Sequence, residues 1–589
     1  MKRTGDLKNE LRRDMQSNQD DVPDVPQRDP KDLPRARRPY IDLQPNEIHS
    51  LGPMNVLCSH CNALHWDCEK LSASTARNPK FGSCCLQGQI QLPPLREPPR
   101  VLREMLSGIS PHSKTFRQNI CPYNAAFAFT SLGVKIDHAV TNAPGPYSFS
   151  IHGALHHHAG ALLPQENQPA CYAQIYIHDD VTQVDMRMAN NPQLQPTIMS
   201  ELQAMIHETY PYVALYKSAH NIMAETPPDQ RQNVQVILHA DRTQDRRRYN
   251  LPTAGEIAAV IPGDGSEDVS DHRDIVVRLQ GGGLHRMSHL NPAYSPLHYV
   301  LLFPHGEDGW HKDIPTVPGP NGRGRSTNVT QRCYYAHRFH IRPADLTQPA
   351  LFLSGKLFQQ YIVDAWASTE QSALNWARTH QKELRADVYQ GLRDDARSDR
   401  EANATLANQG QRVILPSTHI GSERHMLQLF QDSIAICREF QKPDLFITMT
   451  ANPNWPEVKA ALIREAGPHG MPQTAADRPD IMTRVFEGKQ DALYKGIKQG
   501  IFGRTAAMLY TIEFQKRGLP HMHLLVFLHQ EDKIRNAADV DSVVSAQIPI
   551  LLPSLLSMKL LPRIWFMVHV VLRNQMPNAW LMVDVQSSC

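Results

Sequence analysis

LPHMHLLVFL (519–528) is an apolar run that carries His521 and His523 two residues apart. Side chains of an extended strand alternate between faces, so both imidazoles share one face and Met522 takes the other. Just upstream, the apolar run 506–514 ends beside Glu513, and a short turn through Lys516, Arg517 and Gly518 leads back into the histidine run. This spacing predicts a β-hairpin in which Glu513 stands next to the histidine pair. Two imidazoles and one carboxylate make a three-ligand site with open positions for a divalent ion. An isolated His-x-His more often lines a polar sheet face, so the pair does not fix the chemistry by itself.

Outward from the hairpin, the pattern predicts a strand at 444–450, a helix from about 455 and a helical stretch at 422–440. Residues 351–397 contain no proline, and Leu357, Phe358, Tyr361, Ile362 and Ala365 recur at helical spacing. One long amphipathic helix, straight or kinked, is expected there, with Trp366 and Trp376 in the core. GGGL (281–284) and GPNGRGRST (319–327) mark 263–330 as linker and loops. Over 96–262, apolar runs such as AAFAFTSLGV (125–134) and YAQIYIHD (172–179), broken by Gly and Pro, suggest a mixed α/β or mainly β domain. The triplet His156, His157 and His158 reads as loop composition.

Residues 51–95 form a cysteine-rich module, closed by Pro93, Pro94, Pro98 and Pro99. Cys58 and Cys61 form a C-x-x-C half-site, and Cys84 and Cys85 follow, with His60, His65 and Cys68 between. These ligands suffice for a structural zinc, with one of the adjacent pair expected to ligate while the other packs. Four reduced, buried cysteines without metal are the bland alternative. Ten cysteines in 589 residues are too few for a disulfide scaffold, and their clustering predicts a reducing, intracellular setting. Residues 1–50 mix charges and prolines with few aromatics and are expected to be a disordered tail.

The length suggests about three globular units. With 61 Lys+Arg against 59 Asp+Glu, net charge gives no argument for nucleic-acid binding, so any phosphate-binding surface must be local. Arg35, Arg37 and Arg38, the run Arg246, Arg247 and Arg248, and the turn pair Lys516 and Arg517 are the basic candidates, although a solvated surface run is the commoner explanation. The N-terminus lacks the apolar core of a signal peptide, and no run before residue 540 approaches 18 apolar residues, so no membrane association is expected.

DLFITMTANPNWPEV (444–458), DRPDIMTRVFEGK (477–489) and YTIEFQKRGLPHMHLLVFL (510–528), in this order and spacing, closely resemble the helicase-like N-terminal domain of Helitron rolling-circle transposases. The resemblance spans about 330–530, so a domain over 331–530 is expected. It extends more loosely through GPMNVLCSHCNALHWDCEK (52–70), FGSCCLQG (81–88) and DRRRYNLPTAGEIAAVIP (245–262). It implies an α+β fold with a Rep-type (HUH) central antiparallel sheet flanked by helices, the histidine pair on a middle strand and LFITMT (445–450) beside it. It also implies that His521 and His523 are the metal pair of the HUH endonuclease motif, with Glu513 as third ligand by analogy with related Rep nucleases. The activity implied is cleavage of single-stranded DNA at transposon ends by a tyrosine, in the nucleus. A divalent ion, Mg or Mn, polarises the scissile phosphate, and the products are a 5′-phosphotyrosine and a free 3′-hydroxyl. The zinc-finger-like module would contact the same DNA.

The family's catalytic tyrosines lie downstream of the histidine pair, yet no tyrosine follows Tyr510 here. Tyr494, upstream, would need a rearranged chain. There is no GxxxxGK[ST] loop, and GRGRST (322–327) lacks both its lysine and its spacing, so no ATP site is expected. The sequence therefore reads as a transposase fragment with an inactive nicking domain; a non-catalytic DNA-binding remnant or co-opted protein is the alternative. Residues 531–589 read as degenerate, since the family pattern is lost beyond about Ile548 and the apolar ILLPSLLSMKLLPRIWFMVHVVL (550–572) follows. Pro553 and Pro562, with Lys559, Arg563 and Arg573, argue against a membrane anchor. A frameshift near residue 549 is the expected source of the change. Transcript sequencing across that codon is expected to reveal the shift, and an uninterrupted frame encoding this tail would refute it.

Overall fold

The computed structural model describes residues 50–75, 77–132, 157–159, 163–164, 167–217, 234–238, 258–262, 275–278, 285–318, 328–343, 350–384, 414–466, 473–515, 518–536, 539–540 and 568–569. The expected tail over 1–50 lies outside these residues except for Ser50, as do the loop sequences 281–284 and 319–327. The apolar run 550–572 lies outside them except for the backbone at 568–569.

The cysteine module opens with strands β1 (Val56–Leu57) and β2 (Leu64–His65), paired antiparallel with Leu57 opposite Leu64. Helices α1 (Arg100–Ser107), α2 (Pro111–Gln118) and α3 (Ile120–Phe127) follow. The Ser110 hydroxyl accepts from Ser113 N, and Pro111 takes the first helical turn of α2, where a missing N–H costs nothing. Strands β3 (Ser131–Leu132) and β4 (His157–Ala159) come next. Helix α4 (Asp180–Asn190) is capped by the Asp179 carboxylate, and α5 (Pro196–Thr209) packs beside it. Strands β5 (Val234–Leu238), β6 (Ala258–Pro262) and β7 (Ile275–Arg278) form one three-stranded sheet, while β8 (His285–Arg286) joins β3 and β4 in another. Among its described residues, region 96–262 holds helices and short strands, and the run YAQIYIHD supplies a 3-10 helix, Tyr172–Ile177.

His157 and His158 do not fit the triplet's reading as loop composition, and His156 lies outside the described residues. His157 lies in β4 fully buried, stacked on Tyr294 at 3.8 Å. Its Nε2 is 2.7 Å from Asp364 Oδ2 and its Nδ1 is 3.1 Å from the Tyr294 carbonyl, so both ring nitrogens face oxygen acceptors. Asp364 lies 207 residues away in sequence, a separation that local pattern cannot reveal.

Helices α6 (Tyr294–His298) and α7 (Gln331–Arg338) lead into the region expected to hold one long helix. Among the described residues this region holds α8 (Ala350–Leu353) and α9 (Lys356–Thr379), and 385–397 lie outside them. Gly355 breaks the run at φ 46°, and a Cβ there would sit 2.8 Å from Asp477 Oδ1. Trp366 and Trp376 are not core residues: they are 56% and 47% exposed. Leu357, Phe358, Tyr361 and Ala365 define the buried face of α9, and Trp366 is turned about 100° from Ala365, toward solvent.

The last block is legible in outline. Helix α10 (Glu423–Phe440), strand β9 (Leu445–Thr450), helix α11 (Pro456–Ala466) and strands β10 (Thr505–Phe514) and β11 (Pro520–Leu528) match the expected elements, whereas helix α12 (Pro479–Lys498) is an addition to them. With the two-residue β12 (Val568–His569), the strands form an antiparallel sheet in the order β10-β11-β9-β12. Strand β11 therefore lies between β10 and β9. The hairpin turn closes with Gly518 at φ 73° donating its N–H to the Gln515 carbonyl. On one face, Met522, Leu524 and Val526 join Leu445, Ile447 and Met449 in a core shared with Val458, Leu462, Ile481 and Val485 of α11 and α12. On the other face, Leu509 and Phe527 pack under Leu429 of α10.

The cysteine module and this block share that same core. Arg484 of α12 makes a bidentate bond to Glu69 at 2.7 and 2.8 Å, donates to the Leu64 carbonyl at 2.9 Å and lies over the Trp66 ring. Glu69 also accepts from His65 Nδ1 at 2.7 Å. Leu51 N donates to Glu457, which pairs with Lys489 at 2.9 Å. Gly488 completes the fit, since a Cβ there would lie 2.9 Å from Leu51 Cδ1 and 3.1 Å from Cys68 Sγ. Burial opposes ionisation of Glu69, but the bonds from His65 and Arg484 outweigh it and hold the carboxyl at about 2, against an ordinary 4.5. The stability this contributes is present above pH 4.5 and lost as pH falls toward 2. Arg484→Leu is expected to cost about 3 kcal/mol in denaturant unfolding at pH 7. The same variant should flatten the acid limb of the stability profile, and an unchanged limb would remove Glu69 as its source.

Candidate metal centre

The pairing register lays three rows of side chains across one face of the sheet. Glu513, His521 and Thr450 form the row nearest the hairpin turn, because His521 pairs with both other residues. Thr511, His523 and Thr448 form the second row, and Leu509, Leu525 and Phe446 the third. Alternation explains the grouping, since residues two apart on each strand share a face. The third row passes beneath α10 and is apolar, while both imidazoles remain partly exposed.

Within this face, His523 Nε2 lies 3.0 Å from Glu513 Oε1 and its Nδ1 is buried without a hydrogen-bond partner. Phe446 stacks on the His523 ring with 5.6 Å between centroids. The His521 and His523 rings meet edge to face at 4.5 Å, and His521 Nδ1 bonds Thr450 Oγ1 at 2.6 Å. One ligand atom from each of Glu513, His521 and His523 falls within 4.8 Å of the others. A metal–ligand distance of ~2.1 Å places adjacent octahedral ligands ~3.0 Å apart, which is the spacing found between His523 and Glu513. This donor set and spacing fit a small divalent ion. Burial, and then the neighbouring His523, push the His521 imidazole below its ordinary value against the pull of Glu513. His521 is therefore neutral near pH 7, the form that ligates.

A second cluster joins Cys58, Cys61, Cys84 and Cys85, whose sulfurs all lie within 4.8 Å of one another. Cys58 Sγ is 3.7 Å from Cys85 Sγ, and Cys84 Sγ is 3.8 Å from Cys85 Sγ. A tetrahedron with Zn–S bonds of ~2.3 Å has edges of ~3.8 Å, so the four thiols can hold a metal such as zinc. Both adjacent cysteines point into the cluster, which corrects the expectation that one would merely pack. The chain bends sharply after them, with Leu86 and Gln87 at positive φ, and Gly88 N donates to Cys85 Sγ at 3.3 Å. Hydrogen bonding from Cys61, then Cys84 and Cys85, drives the Cys58 thiol far down, while the bond to Cys58 drives Cys84 far up. A nearby cation is what would let all four ionise together. His337 Nδ1 donates to the Cys84 carbonyl at 2.9 Å and Arg342 Nε to the Cys61 carbonyl at 3.0 Å. All the described cysteines are free thiols.

Other candidates fall elsewhere. Arg35, Arg37, Arg38, Arg246, Arg247, Arg248, Lys516 and Arg517 lie outside the described residues. Tyr510 pairs with Leu524 and takes the sheet face opposite the histidines, where Tyr494 meets it edge to face at 6.1 Å. Sequence reasoning does not single out Thr450, Thr448 or Phe446, although alternation within LFITMT is the signal that could find them. His337 and Arg342 carry no such signal, because they reach the cysteines from more than 240 residues away. Purified protein is expected to contain about one zinc per chain, measured by elemental analysis, with Cys85→Ser releasing it. Zinc near zero in protein that is folded and reduced would remove this assignment.

Residues 334–526 match the family model described as the Helitron helicase-like domain at N-terminus. No curated protein matches the chain. Among the described residues, no helix is long and apolar enough to cross a membrane. The matched span contains β9, β11 up to Val526 and the whole of β10, hence every residue of the three rows. Over residues 334–526 the chain is thus Helitron-like, similar to that helicase-like N-terminal domain.

Proposed function

We propose that this domain is a Rep-type (HUH) centre for single-stranded DNA, in which Glu513, His521 and His523 hold one divalent ion, Mg or Mn. The convergence of these three groups on the open end of one sheet face carries the reading. An ion bound there would supply positive charge to a phosphodiester that is already anionic. The residues themselves present imidazole and carboxylate ligands on adjacent, hydrogen-bonded strands, a rigid arrangement that needs little reorganisation. The family match supports a transposase-related role on nucleic acid. The preference for single strands, the transposon ends as target and a nuclear location belong to this proposal, as does structural zinc in a DNA-contacting cysteine module.

The nucleophile is a separate matter. Tyr494 and Tyr510 lie on the side of the sheet opposite the histidines. We therefore read this chain as binding metal and strand without forming a phosphotyrosine. Labelled single-stranded DNA incubated with the protein and Mn should be retained without a covalent adduct, and His521→Ala or His523→Ala should abolish Mn binding. Mn affinity should weaken at acid pH, where protons compete for His521, with the onset below the ordinary imidazole value because burial and then His523 hold that ring down. A covalent adduct would overturn the nucleophile assignment, and Mn-dependent cleavage without one would make water the attacking group. Mn binding that survives both alanine variants would sink the centre itself.

A further inference from the structure

We propose that Thr450 is the positioning residue of the metal centre: its hydroxyl accepts the Nδ1 proton of His521, fixes that tautomer, and leaves Nε2 free to take the ion. This inference rests on the metal-centre reading above and assigns a role to a residue outside the ligand set.

Strand register brings the two groups together. Thr450 is the last residue of β9 and pairs directly with His521, so the two side chains rise side by side from the same face. Their Oγ1 to Nδ1 distance is 2.6 Å, a strong hydrogen bond. A neutral imidazole carries one proton on one of two nitrogens, and only the bare nitrogen binds metal. If the hydroxyl donated to Nδ1, the proton would sit on Nε2 and His521 could not ligate through it. With Oγ1 as acceptor, Nδ1–H is satisfied and Nε2 presents its lone pair. Metal-bound histidines commonly give their second ring N–H to an oxygen acceptor in this way. His523 has no equivalent, since its Nδ1 is buried without a partner. The two imidazoles are therefore unequal, and His521 is the one held ready.

The bond also fixes the ring plane. His521 is partly exposed at the open end of the sheet, whereas His523 is flanked by Phe446. Without Thr450 the His521 ring would rotate about χ2, a broad torsion, and populate both tautomers. Threonine suits the position because its branched Cβ favours extended backbone and restricts χ1, which keeps the hydroxyl aimed at the ring.

The test uses the full chain and Mn titration followed by electron paramagnetic resonance of free and bound ion. Thr450→Val keeps the shape and removes the acceptor, and it should weaken Mn binding about tenfold or more. Thr450→Ser restores the hydroxyl and should return affinity to within about twofold of the native chain. Thermal unfolding of the metal-free variants is run alongside, and similar midpoints make the loss local. If the native chain binds Mn and His521→Ala abolishes it while Thr450→Val binds as the native chain does, this role is wrong and the centre stands. The role is equally wrong if Thr450→Ser fails to rescue binding. If the native chain binds no Mn, the metal-centre reading fails and takes this role with it.

Discussion

The two-residue period of β11 is the constraint on which the rest of the domain depends. Met522, Leu524 and Val526 fill the core on one side, and His521 and His523 stand on the other. A slip of one residue would exchange these sets, driving two imidazoles into an apolar interior and three large apolar side chains toward water. Burial of the apolar set fixes the register, and the register fixes which residues become neighbours of the histidines. Placement of the polar residues is thus a by-product of hydrophobic packing on the opposite face.

Physical reach decides what the sequence could disclose. The hairpin, the strand at 445–450 and the flanking helices rest on local periodicity and turn chemistry, so they are readable from LFITMT and LPHMHLLVFL. The C-x-x-C half-site is equally local, and the resemblance to Helitron domains is carried by contiguous motifs. His157 with Asp364 and Arg484 with Glu69 are joined only by tertiary folding, across 207 and 415 residues. Trp366 and Trp376 depart from expectation for a different reason: size and hydrophobicity favour the core, but helical phase places them on the solvent side of α9. Gly355 shows the same limit, because the close approach of Asp477 that requires a glycine is invisible in the neighbouring sequence.

The cysteine cluster and the histidine face occupy distant parts of the sequence but share a mechanical connection. Helix α12 holds the module through Arg484 and Lys489, and its C-terminal end is tied to β10 where Thr505 Oγ1 donates to the Ile497 carbonyl. Residues on the far side of the cluster, His337 and Arg342, belong to the segment just after α7 or within it. The module is therefore gripped from two directions by the domain that carries the second centre. Folding of either part without the other would leave a charged pair half-made.

Gly488 gives that grip an unusual vulnerability. It sits in the interior of α12, where glycine lowers helix stability by about 1 kcal/mol relative to alanine. The bare backbone forms a shallow seat for Leu51 and Cys68. A single added methyl would force the Leu51 and Cys68 side chains to shift while leaving every charge, thiol and imidazole chemically intact. Strain in the seam between module and sheet would then arise from a spacer rather than from any charged or ligating group.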